Sequence, residues 1–538
     1  MNEPHFILTP ETVLADYRLA YRSRQASLIG RREVMSGKAK FGIFGDGKEV
    51  PQLAMAHAFR KGDFRAGYYR DQTFLFAIGE LTLQQFFAQL YAHADVQAEP
   101  ATGGRAMNAH FATRSLNPDG SWKNLTEIKN SSSDISPTGA QMPRLVGLAY
   151  ASRLYRELEE LHRFTQFSKN GDEIAFGTIG NASTAEGVFW EAINAAGVLQ
   201  APLLLSIWDD DYGISVHNEH QMVKQCISDL LLGFQRPAGT RDGFDIHLVM
   251  GWDYPTLVET YLKVSERMRQ EHIPAVIHVI ELVQPLGHST SGSHERYKSQ
   301  ERLAWERDYD CLKKFRNWIL EQGIVSESEI ADLEKEDLDL VENARKSAWQ
   351  AYITPINQER REVARMIGEI GRSSRHSSAL IQIQQNLLSI QSPLRRDNMA
   401  AIRSALITAR GEDIPAKRSL VEWKREQQRI NEQRYGSHLY SQSAQSALKI
   451  PEIKPIYSAD SPQVYGYEII NACFAAALAR DPRVIAFGED VGRLGDVNQG
   501  FRGLQAKYGK LRITDTGIRE CTIVGQAIGM ALRGLRPI

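Results

Sequence analysis

Two places in the chain gather oxygen donors where a strand should end: Asn181, within Gly180-Asn181-Ala182, and Asp209-Asp210-Asp211, just before Tyr212. Asn181, Asp210 and a backbone carbonyl near Tyr212 would offer hard oxygen ligands, which suit Mg²⁺ shared with a diphosphate. Backbone N–H groups at the start of a helix near residue 186 would add a field that favours an anion. On spacing alone, a polar loop capping a helix explains these residues equally well. A literal G-D-G at Gly45 to Gly47 has no Asn after it until Asn108, and reads as a turn before a helix. A lone loop histidine is ordinarily solvated, and a glutamate at a helix start is ordinarily there for the dipole.

Positioning these groups needs a scaffold, and the chain supplies its pattern. Residues 12–100 read as helices separated by Gly-rich turns. Residues 102–137 are polar, irregular and rich in Gly, Asn and Ser, which inside a compact domain marks function or disorder. A helix is predicted over 142–157, a buried strand over 173–179, a helix over 186–198, and strands over 202–208 and 275–282. Strands alternating with helices indicate βαβ units on a parallel sheet. If 173–179 and 202–208 are neighbours, Asn181 and Asp210 meet at the carboxyl edge, where open α/β sheets bind ligands. From about 303 to 434 the chain turns charged and helical, and 435–462 is a Ser- and Pro-rich linker. A second α/β unit follows, with a helix over 465–480, a strand over 484–487 and a helix near 523–532.

Composition excludes several classes. At 538 residues the chain should hold two to four domains. Its 64 Lys and Arg nearly cancel its 65 Asp and Glu, so no field draws it to nucleic acid or an anionic membrane. The four cysteines are too scattered for a zinc cluster or a disulfide framework, which points to a reducing cytoplasm. The N-terminus lacks a signal-like pattern, and no apolar run approaches the roughly 20 residues that cross a bilayer.

The stretch from Gly180 to Ser215 resembles the thiamine-diphosphate motif, and EGVFWEAINAA followed by YGIS is similar to the α subunits of 2-oxo acid dehydrogenases, the decarboxylating first component. The family's G-D-G is Gly180-Asn181-Ala182 here and its Asn pair is Asp209-Asp210, so acid and amide are exchanged at the two ligand positions. Other matches follow in family order. Gly47-Lys48-Glu49 resembles G-Q-E, and Tyr69-Arg70-Asp71 resembles the segment whose Tyr and Arg hold the diphosphate. The run from Gly104 to Phe111 is similar to G-R-Q-M-P-x-H-Y of branched-chain enzymes. The segment from Ser136 through Thr138 to Gln141 resembles the one beside the cofactor's pyrimidine, and Gly287-His288-Ser289 resembles a loop near diphosphate and substrate. Trp208 stands where some relatives place a phosphate-binding Arg. Residues 465–538 resemble the β subunit of the same enzymes, and Glu520 matches its motif glutamate.

This resemblance implies a thiamine-diphosphate-binding fold, α/β with a doubly wound parallel sheet, a helical linker and a second, incomplete α/β unit. It implies an α-type domain over 1–375, a linker over 376–462 and the start of a β-type domain over 463–538. Tyr69, Arg70, Ser136, Thr138, Gly180, Asn181, Ala182, Asp210, Tyr212, His288 and Glu520 would bind thiamine diphosphate. Asn181, Asp210 and Tyr212 would bind Mg²⁺, and Glu520, His288 and His110 would be catalytic. Glu520, kept protonated by burial and hydrogen bonding, would stabilise the imino form of the aminopyrimidine. The implied reaction is oxidative decarboxylation of a 2-oxo acid, branched-chain before pyruvate, with acyl transfer to a lipoyl-lysine of a partner acyltransferase. A homo-oligomer is implied too, because the family's cofactor lies between α-type and β-type surfaces. Since the family's β subunit extends further, these 538 residues alone are expected to turn over little. Another thiamine enzyme, transketolase-like or acetoin-cleaving, and a non-catalytic scaffold are the alternatives.

Overall fold

A computed structural model describes residues 8–444 and 446–538; Met1 to Ile7, the opening of the stretch read for a targeting signal, and Gln445 of the linker lie outside them. The chain opens with α1 (Pro10–Met35), which has Thr9 as N-cap and Pro10 in its first turn, a pairing that pre-sets the helix start. Then come α2 (Glu49–Ala58), β1 (Phe64–Ala66), α3 (Gln72–Ala77) and α4 (Leu83–Leu90). After the largely irregular 102–137 segment, which contains β2 (Asn130–Ser131), the βαβ units begin. They run α5 (Gln141–Glu157), β3 (Ala175–Gly180), α6 (Gly187–Leu199) and β4 (Leu203–Trp208). A short hairpin, β5 (Tyr212–Gly213) with β6 (Val216–His217), precedes α7 (Ile227–Leu231), β7 (Asp245–Met250), α8 (Tyr254–Glu271) and β8 (Ala275–Ile280).

Six of these strands form one parallel sheet in the order β2-β1-β3-β4-β8-β7. Cores lie on both faces: one joins Leu53, Phe74 and Tyr261 of α2, α3 and α8, the other Leu145, Ala149 and Phe189 of α5 and α6. Strands covered on both sides read as unbroken apolar runs, and β4 is buried at every residue. Pattern reading missed three strands of this sheet. β1 carries a fully buried arginine, Arg65, bonded to Asp71 and Asp134. β2 has two residues. β7 is an edge strand whose residues, apart from Val249, are part-exposed or exposed.

Past the sheet the chain is helical, as its composition suggested: α9 (Gln300–Asp308), α10 (Cys311–Glu321), the 47-residue α11 (Glu327–Ser373), α12 (Ser377–Ser389), α13 (Arg395–Thr408) and α14 (Pro415–Gly436). The last three pack on the C-terminal half of α11 through Ile367, Leu380, Ile402 and Leu420. Between the end of α14 and residue 462, the described residues hold one 3₁₀ turn (Ala447–Lys449). The second unit comprises α15 (Gly466–Arg480), β9 (Val484–Gly488), α16 (Leu504–Tyr508), β10 (Ile513–Asp515), α17 (Glu520–Leu532) and β11 (Arg536–Pro537), with parallel strands in the order β10-β9-β11. Among the described residues no helix is long and apolar enough to cross a membrane.

The second unit packs on the first by laying α17 along α5. Glycines permit the close approach: a Cβ on Gly147 would sit 2.0 Å from the Gln526 carbonyl oxygen, and one on Gly529 2.3 Å from that of Arg144. Arg533, fully buried, donates to Leu148 O, Ser152 Oγ and Glu173 Oε2 across the interface.

Candidate active site

The register of β3 against β4 pairs Gly180 with Trp208, so the next residues, Asn181 and Asp209-Asp210, leave the sheet side by side. They open on a cavity of about 500 Å³, within the range of small-molecule sites. Gly180, Asn181, Ala182, Asp210 and Tyr212 line it from the strand tips; Tyr69, Arg70, Ser136, Thr138 and His288 line it from loops. The structure thus collects at one place residues that the sequence scatters between positions 69 and 288.

Local bonding fixes each group. Asn181 Nδ2 donates to Asn218 Oδ1 at 2.7 Å, which leaves Oδ1 as the oxygen available to a cation. Asn218 Nδ2 donates in turn to Asp209 Oδ1, and Asp209 Oδ2 meets His278 Nε2 at 2.9 Å. Burial would lower the His278 pKa, but its bonds to Asp209 and Cys226 outweigh that and raise it to about 9. Beyond Asp210 the backbone turns through Asp211, at φ 66°, and Ile214, at φ 60°, a left-handed conformation that is unusual for a β-branched residue. Arg302 braces this turn, donating to Asp211 Oδ2 at 2.5 Å and to the Asp210 carbonyl at 3.1 Å.

On the opposite wall, buried Arg65 grips Asp71, and Asp71 also accepts from Trp208 Nε1 at 3.2 Å. This anchors the turn that presents Tyr69 and Arg70. Arg70 donates to Phe44 O at 2.5 Å and to His288 O at 2.8 Å, and its Nη2 lies 3.1 Å from His288 Nδ1. Burial and the Arg70 charge together push the His288 pKa down to about 4. His288 is therefore neutral at pH 7, with Nδ1 facing a donor and Nε2–H left as a donor of its own. The Tyr69 ring stands edge-on to His288, centroids 6.4 Å apart. Thr138 Oγ1 donates to Glu186 Oε1 at 2.6 Å.

Two expected residues stand differently. His110 is buried behind the wall; its Nε2 lies 2.9 Å from Ser136 Oγ and its Nδ1 3.1 Å from Asn108 O. It touches the cavity through Ser136. Glu520 was expected to be buried beside the cofactor, but it is exposed and outside the cavity lining. The reason is its position in the first turn of α17, whose buried residues Thr522, Gly525, Gln526, Gly529 and Met530 face α5 and α6; Thr522 bonds Glu191 of α6.

Sequence reasoning also missed cavity residues. Lys48, 2% exposed, points its ammonium at Asp210 Oδ2 at 2.8 Å. Glu186, Gln284, Tyr297 and Lys298 also line the cavity. Burial would raise the Asp210 pKa, but Lys48, with smaller help from Lys298 and Arg70, holds it below the ordinary carboxylate value. Asn181 and Asp210 offer the oxygen donors that an ion such as Mg²⁺ takes, but one Asp210 oxygen is already bonded to the Lys48 ammonium, which competes with such an ion. Arg70, Lys48 and Lys298 make the cavity suitable for an anion.

Comparison with known proteins agrees with this geometry. Residues 466–538 match the transketolase pyrimidine-binding domain. The chain is 29% identical over 326 residues to the 2-oxoisovalerate dehydrogenase subunit alpha of Bacillus subtilis, covering 59% of this chain and 87% of that one. Over 90 residues it is 42% identical to the pyruvate dehydrogenase E1 component subunit beta of Leifsonia xyli, covering 16% and 27%. Over 71 residues it is 48% identical to the same subunit of Acholeplasma laidlawii, covering 13% and 22%. The chain thus spans most of the α-type relative and about a quarter of the length of the β-type relatives it matches. Residues 17–357, more than half of the chain, match the dehydrogenase E1 component, and the chain belongs to that family, with an α-type region followed by a β-type pyrimidine-binding region.

Proposed function

We propose that the cavity binds thiamine diphosphate, with Mg²⁺ at Asn181, Asp210 and the Tyr212 carbonyl, and that the protein serves the oxidative decarboxylation of a 2-oxo acid. The acyl group passes to a lipoyl-lysine of a partner acyltransferase. The observation that carries this reading is the meeting of Asn181 and Asp210 at adjacent strand tips, in one cavity with Arg70 and His288. When bound, the cofactor supplies a carbon nucleophile and an electron sink for loss of CO₂. Arg70 offers forked donors to the diphosphate. Ser136 and Thr138 line the pyrimidine side, and His110 orients the Ser136 hydroxyl. Neutral His288 donates its Nε2–H to the substrate, which keeps one uncharged donor beside an anionic ligand.

Glu520 would hold the aminopyrimidine, and because it stands outside this cavity the reading requires it from another copy, hence a homo-oligomer. The organisation into 1–375, 376–462 and 463–538 follows the same division of labour. Branched-chain substrates rank before pyruvate, on the Met107-x-x-His110 spacing and the name of the α-type relative. Four free cysteines support a cytoplasmic site of action. Calorimetric titration with thiamine diphosphate and Mg²⁺ tests the reading. Saturable binding that Arg70→Met weakens at least roughly tenfold is expected, together with mass-detected acylation of a lipoyl domain. Absence of binding would overturn it.

A further inference from the structure

The exchange of acid and amide at the strand tips coincides with a third departure at the same spot. Position 48 lies 162 residues away in sequence from Asp210, yet the Lys48 ammonium lies against the Asp210 carboxylate. Its placement is built. Gly47, at φ 84°, lets the backbone run so close to residues 283–285 that a Cβ there would meet the Val283 oxygen at 2.1 Å. Glu49 Oε2 accepts from Gly47 N at 2.9 Å, and Asp46 accepts from Leu286 N at 2.9 Å. With its stem held so, Lys48 Nζ donates to Asp210 Oδ2 at 2.8 Å, to Gln284 Oε1 at 2.7 Å and to the Val283 carbonyl at 3.1 Å. All three ammonium hydrogens have an acceptor, and the group still lines the cavity.

An ammonium in that place acts on two ligands. It neutralises the carboxylate that a divalent ion would need, and it repels such an ion at short range in a partly desolvated site. Toward a diphosphate the same charge is attractive, and an ammonium is a compact donor that can exchange one acceptor for a phosphate oxygen. We propose that Lys48 is a resident cation of this site, which binds the cofactor's diphosphate directly and makes its binding largely independent of divalent metal. This rests on the thiamine diphosphate reading and revises only the source of the positive charge.

The test is calorimetry on the full chain with thiamine diphosphate and with inorganic pyrophosphate, each in EDTA and in Mg²⁺. For the unaltered protein, affinity in EDTA within about tenfold of that in Mg²⁺ is expected. Lys48→Met should lose roughly ten- to a hundred-fold in EDTA and become dependent on Mg²⁺, because Asp210 is freed for the ion. Lys48→Arg, which keeps the charge, should retain binding in EDTA and guards against a folding defect in the Met variant. Binding by the unaltered chain only in Mg²⁺, unaffected by Lys48→Met, overturns the proposal and leaves the cofactor reading intact. No binding of thiamine diphosphate in either buffer overturns both.

Discussion

His288 gives one ring nitrogen to Arg70 and keeps the other for the cavity, so its tautomer is set by a neighbour rather than by pH. Nitrogen-15 spectra of histidine-labelled protein should show the Nε2–H form, titrating near 4. Arg70→Met should raise that pKa, since burial would remain but the adjacent positive charge would be gone. An unchanged titration would show that Arg70 does not control the ring. Asn181, Asp210, Arg70 and His288 were legible because each sits at a strand end or in a short motif whose residue types announce anion or metal chemistry. Lys48 and Glu186 were not. Lys48 stands in the segment that resembles the family's G-Q-E, but only the fold brings its ammonium against a carboxylate at a strand tip.

At the scale of elements, β3, β4 and β8 could be read from sequence because burial on both faces leaves continuous apolar runs, whereas β1 hides an ion-paired arginine where such a run would be. The α5–α17 contact was equally invisible, since it depends on which glycines face each other. Gly529→Ala would put a methyl group 2.3 Å from the Arg144 carbonyl oxygen, and backbone cannot yield there as a flexible side chain would. A loss of about 1–3 kcal/mol is expected, seen as faster tryptic cleavage in the linker and a lower unfolding midpoint. Gly517, with open space around it, supplies the control: Gly517→Ala should change neither readout. Equal behaviour of the two variants would show that α17 is not docked on α5 in solution.

Across the whole molecule, three histidines, His272 and His278 buried and His288 half-buried, set a pH window for stability. His288 and His272 have folded pKa values lowered to about 4 and about 3 from 6.5, chiefly by burial. Below pH 6.5 the unfolded chain therefore binds more protons at these sites, and stability falls as pH drops toward 4 and then 3. His278 acts with the opposite sign: raised to about 9, it stabilises below pH 6.5 and that contribution is lost as pH climbs to 9. From these groups the unfolding midpoint should peak near pH 6.5; His272→Gln should flatten the acid limb, and an unchanged limb would assign acid lability elsewhere.

Association also belongs to this scale, because the cavity and Glu520 lie apart within one chain. The second unit exposes Ile469 and Ile470 on α15 and Val524 and Ile528 on α17, each at least 49% exposed. Apolar side chains left exposed on these two helices are available for another protein to cover, and a second copy is the partner that would bring Glu520 to a cavity. Sedimentation should then show self-association at micromolar concentration. Ile470→Asp combined with Ile528→Asp should shift the chain to monomer with its unfolding midpoint preserved, since both side chains are about half exposed to solvent. A monomer in the unaltered protein at every concentration would remove the argument for a site shared between copies, and with it the role assigned to Glu520.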